Sequence, residues 1–347
     1  AEMQRAAEAL EASAQEELEM ARGLYASLDA EQRAYWTNYT EELIVGDICQ
    51  YTGLVSVWGV GYSYYGGAHG WESIHAWNFD LTAGEFLTLD GLNEEASTDS
   101  ALGKTLTHTL AMAVLEQIDA QGLSEYYFED YASYIFDLPA NASFSFDDWG
   151  MTIAFDPAVI APYAASAQKF YIPFNRFYNA LDSHTQSLLD VPEEERILAD
   201  YNTTKILWSW FYMTTPPVDD GAPGITVDGL SLSRVTLDGA TTLDALRALL
   251  CEHVSEEVAD EWLATGRFVE SNGALYAAWA DRGSDITIVD DEQNVAVMGD
   301  SGILMQTITR GYWSDAEQRL VPTGETDTYE YPFTLLDGHA VFSAFPC

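Results

Sequence analysis

Positive charge is scarce. Fourteen Lys plus Arg, three of them lysines, face 56 Asp plus Glu in 347 residues, for a formal net charge of −42. The balance is −26 over residues 1–200 and −16 over residues 201–347, so the acidity belongs to the whole chain and not to a tail. Such a field repels phosphate backbones and anionic lipid, which disfavours nucleic acid and a bare anionic membrane as partners. It steers in a basic partner, although an acidic surface also serves simply to keep a protein soluble.

Cysteine is nearly as rare. Cys49, Cys251 and Cys347 lie far apart with no C-x-x-C, which excludes a zinc ribbon and a thioredoxin motif. Cys251 and Cys347 can form a disulfide or stay as two thiols, and the spacing leaves both open. Long apolar runs are missing: the most hydrophobic stretch, residues 206–213, is far short of a membrane span and is interrupted by Ser209. The chain opens at Ala1 on a polar helix, so a removed signal peptide or lipid-anchor segment would leave no trace.

Catalytic signatures are absent too. There is no Gly-x-Ser-x-Gly, no His-Glu-x-x-His and no glycine loop followed by Lys-Ser/Thr. With 56 carboxylates, spacings that suit a glycosidase pair arise by chance and carry no weight. Asp290-Asp291-Glu292 and Asp219-Asp220-Gly221 fit no EF-hand loop and read as solvated turns. The expectation is a protein without enzymatic activity, cofactor or metal.

What the chain does have is core material, at 48% hydrophobic and 13% aromatic residues, over a length that suits two domains. Residues 1–28 space Met3, Ala6, Ala7, Leu10, Ala14, Leu18, Ala21, Tyr25 and Leu28 as one helix face, and Asp29 caps a second helix expected to run to Leu43. A long hairpin follows, with strands over 48–65 and 71–81 around Gly66-Gly67. Then come a short strand over 86–89, a helix carrying Leu102, Leu106, Leu110, Val114 and Ile118, and a helix over 125–136. Strands over 142–146 and 151–155 join through Asp147-Asp148-Trp149-Gly150. A strand over 169–173 precedes another helix. The breaker-rich segment 214–224 is the expected linker. Beyond it lie a strand over 225–235, a helix over 243–264 and four or five strands. The fold class is therefore α+β, two domains with helices on mainly antiparallel sheets. The expected division is 1–195, a connecting helix and linker over 196–224, and 225–347.

Several ordered motifs carry a resemblance. Tyr64-Tyr65-Gly66-Gly67-Ala68-His69-Gly70, Trp77-Asn78-Phe79-Asp80-Leu81 and Thr82-Ala83-Gly84 resemble the family called domain of unknown function 3298. Met151-Thr152-Ile153-Ala154-Phe155-Asp156-Pro157, Ile160-Ala161-Pro162-Tyr163-Ala164 and residues 170–173 look like its closing strands, so the likeness covers residues 60–180. Residues 1–60 are similar to the companion domain of unknown function 4163, without the strands that normally precede its first helix. Residues 200–347 more loosely resemble a cystatin-like domain of secreted proteins that includes a cell-wall endopeptidase inhibitor, a cystatin or nuclear-transport-factor-like fold. The matching features are Trp208-Ser209-Trp210-Phe211-Tyr212, Leu275-Tyr276, residues 281–285 and the aromatic ending.

The resemblance implies an extracytoplasmic binding or sensing protein of a Gram-positive envelope, secreted or lipid-anchored, of the type that recognises lysozyme. Partners implied are a basic protein such as a lysozyme or wall hydrolase, or wall glycan. A peptidoglycan-acting enzyme with an unlocated carboxylate site and an ancillary structural module are the alternatives. The candidate binding residues are Tyr62, Tyr64, Tyr65, Gly66, Gly67, His69, Trp71 and Glu72, a glycine-permitted loop rimmed by aromatics. A zinc reading of His69, Glu72 and His75 is weak, because alternation puts Glu72 and His75 on opposite strand faces. His108, His184, His253 and His339 stand singly in the sequence and read as capping or surface residues.

Overall fold

The computed structural model describes residues 2–37, 39–64, 69–92, 105–122, 124–219, 221–237, 239–280, 285–317 and 319–346. It divides into two compact units. Of the described residues, the first holds those within 2–92, 105–177 and 181–191, and the second those within 178–180 and 192–346. The class is α+β, with open, antiparallel sheets.

The first unit begins with α1 (Glu2–Ser27) and α2 (Ala30–Ala34). Asp29 caps α2 in a reciprocal box with Gln32, the Gln32 N–H donating to the Asp29 carboxylate at 2.8 Å. The expected continuation to Leu43 fails because the aromatic and β-branched residues after Trp36 favour a strand, and β1 (Thr40–Gln50) already contains Leu43. The second half of the α1 apolar stripe is mostly not a buried face either. Ala21 is buried, while Leu18, Met20, Leu24 and Tyr25 are exposed.

Strand β1 pairs with β2 (Leu54–Tyr64), which pairs with β3 (Trp71–Asp80) and then β4 (Glu85–Phe86). The β2–β3 hairpin lies where the sequence places it, but Ile48 belongs to β1, because the chain turns at Tyr51 to Gly53. Helix α3 (Leu106–Gln121) follows. Its Leu106, Leu110, Val114 and Ile118 are spaced four apart and fully buried, Thr105 caps its start, and Gly122 ends it in the left-handed region. Two short helices, α4 (Tyr131–Phe136) and α5 (Leu138–Asn141), lead to the sheet β5 (Ser143–Asp147), β6 (Gly150–Phe155) and β7 (Gln168–Pro173). Helix α6 (Ser183–Leu188) closes the unit.

A buried polar stitch joins the two sheets of this unit. The Ser56 hydroxyl donates to Asn78 Oδ1 at 2.7 Å and accepts from the Phe146 N–H at 2.8 Å, and Asn78 Nδ2 donates to the Phe144 carbonyl at 2.8 Å. Ser56 and Asn78 are both 2% exposed, so these bonds fix which residues of β5 oppose β2 and β3.

The second unit is organised around α7 (Glu193–Tyr212), much of whose circumference is buried, including Ile197, Tyr201, Leu207, Trp210 and Phe211. This helix, expected only to connect, is a central part of a core. The segment after it is also built in: β8 (Val218–Asp219) pairs with β10 (Leu230–Val235). The single strand expected over 225–235 is a hairpin, β9 (Ile225–Val227) and β10, turned by Asp228 and Gly229 at positive φ. Likewise the helix expected over 243–264 is two, α8 (Leu243–Cys251) and α9 (Glu256–Leu263), separated where Ser255 caps the second. Strands β11 (Phe268–Ser271) and β12 (Ala274–Ala278) join β10 in one sheet. Strands β13 (Ile288–Met298), β14 (Ser301–Ser314), β15 (Arg319–Leu336) and β16 (His339–Phe342) form another, a meander in sequence order. Two sheets thus replace the one meander of a cystatin-like arrangement.

A polar cluster sits inside this core. Asp200 is 2% exposed and accepts from the Ala340 N–H at 2.7 Å and Asn179 Nδ2 at 3.0 Å, with His339 Nδ1 at 3.1 Å. His253 is buried nearby, and its Nε2 has no hydrogen-bond partner among the described residues. Burial pushes its pKa down to about 4 against the pull of Asp200, whereas the hydrogen bond to Asp200 raises that of His339.

Candidate functional site

The β2–β3 hairpin presents a rim of rings. Tyr62 is paired with Glu72 and Ser63 with Trp71 across the hairpin, and Tyr62 and Trp71 are exposed. Gly70 is buried under the Tyr62 ring, where a Cβ would collide with the phenol. That close approach, not a special φ, is why a glycine is needed there.

Tyr163 completes the rim from another part of the unit. It sits on a 3₁₀ turn (Tyr163–Ala165) and its hydroxyl donates to the Gly70 carbonyl, which His69 Nδ1 also approaches at 3.0 Å. The His69 ring stacks on Tyr163 with centroids 4.4 Å apart, and Trp71 lies 5.2 Å from the same ring at 31°. Tyr163 therefore holds His69 and Trp71 in one array. Residues Tyr65, Gly66 and Gly67 of the expected site lie outside the described residues, as does Ala68. Tyr62, Tyr64, His69, Trp71 and Glu72 fall at one end of the hairpin. Tyr163 was legible only as part of a family motif, since a contact across 93 residues leaves no local signal.

Below the rim a cleft of about 240 Å³ opens between β1–β3 and β5–β7, lined among others by Cys49, Trp58, Ile74, Phe144, Lys169 and Tyr171. Lys169 Nζ lies 3.8 Å over the Trp58 ring, a cation–π contact. Partial desolvation lowers its pKa, with Glu72 pulling it back up. Cys49 Sγ donates to Asp148 at 3.5 Å, and burial pushes its thiol up, away from the thiolate that nucleophilic chemistry uses.

Two of the histidines that look solitary in sequence have carboxylate partners. His184 Nε2 lies 2.6 Å from Asp80, whose side chain is 1% exposed. Burial alone would raise the Asp80 pKa, but bonds from the Ala83 N–H, His184 and Thr82 hold it at about 2, and the same contact raises His184. His339 bonds Asp200, and His108 stacks on Phe136 at 5.9 Å. His75 is bonded to Ser73 at 2.9 Å and stacks on Trp77. Cys347, the possible partner of Cys251, lies outside the described residues.

No protein-family model matches the chain, and no curated protein matches it. Among solved structures it is similar to a member of the domain of unknown function 3298 family from Bacteroides fragilis, at 20% identity and a TM-score of 0.40, over 54% of this chain and 73% of that one. It is also similar to a protein of that family from Pseudomonas aeruginosa, at 22% identity and a TM-score of 0.33, over 48% of this chain and 75% of that one. Both of these solved structures are of the domain of unknown function 3298 family, the family that residues 60–180 resemble in sequence.

Proposed function

We propose that the protein is a non-enzymatic binding module of a bacterial envelope, secreted or lipid-anchored, that captures a cationic wall-active protein of the lysozyme kind at the hairpin rim. The observation that carries this reading is the array of exposed rings, Tyr62, His69 and Trp71, the last two held on the half-buried Tyr163, on a chain of net charge −42. Aromatic anchors supply the desolvated contact, and the acidic field supplies the approach. The envelope location rests on the sequence resemblance alone.

The test is calorimetric titration with a basic lysozyme at low and physiological salt, beside an equally basic protein with no wall activity. Saturable binding confined to lysozyme, weaker at the higher salt and lost on replacing Trp71 with Ala, is the expected result. Equal binding to both proteins, or to neither, refutes it.

A further inference from the structure

A second groove lies wholly within the second unit. Its volume is about 510 Å³, and its walls are Trp208 and Tyr212 from α7, Glu257 and Glu261 from α9, and the chain from Ser343 to Pro346. Trp208 and Tyr212 are one helical turn apart and stack at 5.3 Å and 23°, so they present one continuous aromatic wall. The floor is apolar: Trp262 is 2% and Phe345 8% exposed, and their rings meet edge to face.

Helix α9 carries two pairs of carboxylates, each pair four residues apart, on adjacent faces. Glu256 and Asp260 form one pair, and the chain supplies its cation. Arg247 Nε lies 2.6 Å from Asp260 Oδ1, and its Nη2 lies 3.1 Å from Asp260 Oδ2 and 3.0 Å from Glu256 Oε2. Glu257 and Glu261 form the second pair. It faces the groove, and among the described residues no Lys, Arg or His pairs with it. The same helix therefore shows how a guanidinium bridges such a pair, and offers a second, unfilled pair beside an aromatic wall.

We propose that this groove binds a guanidinium, the arginine side chain of a partner protein, stacked on the Trp208–Tyr212 wall and bridging Glu257 and Glu261. A planar, delocalised cation satisfies both requirements at once, stacking through its face and donating through its edge, which a lysine ammonium does not. The apolar floor accommodates the methylene stem. The site uses no residue of the hairpin rim and stands or falls separately from it.

The experiment titrates the intact protein with N-acetyl-arginine methylamide, and in parallel with the lysine and citrulline equivalents. The readout is the indole N–H resonance of Trp208, assigned with Trp208→Phe. Arginine is expected to bind saturably, lysine at least about fivefold more weakly, and citrulline not measurably. Glu257→Gln with Glu261→Gln, isosteric and exposed, is expected to weaken arginine binding about tenfold or more, while Trp71→Ala leaves it unchanged. Equal shifts from arginine and lysine, or arginine binding that survives the double Gln variant, would overturn the site in favour of general attraction to an acidic surface. Absence of any arginine shift overturns it outright.

Discussion

His253 makes the stability of the second unit depend on pH in a way that can be isolated. Its folded-state pKa, about 4, lies below the ordinary 6.5. Above pH 6.5 the ring is neutral folded or unfolded and contributes no pH dependence. As the pH falls below 6.5 the unfolded chain takes up a proton that the folded chain refuses, so stability declines until the folded ring also protonates near pH 4. At 1.36 kcal/mol per unit the full loss is on the order of 3 kcal/mol, with roughly 2 kcal/mol of it spent by pH 5. His184 and His339, whose pKa values are raised, act with the opposite sign: their stabilisation is present in acid and lost as the pH rises through their folded values. A comparison with His253→Leu cancels His184 and all of the His339 contribution except its coupling to His253. Urea unfolding at pH 7 and pH 5, read by both tryptophan fluorescence and circular dichroism because two units can unfold in separate steps, is the measurement. The variant should lose about 2 kcal/mol less than the parent between the two pH values and should not be much weaker at pH 7, since it also removes the unpartnered Nε2. An equal loss in both, within about 0.5 kcal/mol, would mean that His253 is hydrated in the folded protein and the argument is wrong.

Four further outcomes follow from particular contacts. Asp80→Asn should return the His184 titration midpoint towards 6.5 in a proton-carbon NMR titration, and an unmoved midpoint would disprove the coupling. In the parent, Asp80 contributes about 2 kcal/mol that is present above pH 3.8 and lost as the pH falls towards 2, measurable as the acid limb of a denaturation series and missing from the variant. Gly70→Ala should displace the Tyr62 ring and weaken the proposed lysozyme binding at least about tenfold with an unaltered circular dichroism spectrum, and full affinity would remove Tyr62 from the site. Gly150→Ala places a Cβ 2.8 Å from the Pro173 Cα and against the Ile172 carbonyl, so a loss of about 1–3 kcal/mol is expected in urea, with no loss counting against the β6–β7 geometry.

Patterns contained within one element were legible in the sequence; patterns that depend on a distant partner were not. The four-residue spacing of Leu106, Leu110, Val114 and Ile118 marks α3, and Asp147 to Gly150 marks the β5–β6 turn, because burial and turn chemistry are written locally. The α9 cap at Ser255 and the Asp228-Gly229 turn are equally local signals, and they were overridden by the apolar continuity around them. By contrast, the place of α7 in a core could not be read, since its apolar residues run around the helix without a single face. At the rim, Tyr62, Tyr64, His69, Trp71 and Glu72 share a hairpin and were found together, while Tyr163 reaches them only through the folded chain.

The Asp200 contact with Ala340 spans 140 residues, and β16 also bonds back to His253 and Ser255 through Phe342. Strands β13 to β15 need only their sequence neighbours to pair, but Tyr201 of α7 and Trp262 of α9 are not fully covered until β16 and Phe345 arrive. During synthesis, the second unit must therefore wait as a partly formed meander beside an incompletely covered helix until β16 has emerged. Its vulnerability to proteases and aggregation is set by how long that strand takes to appear.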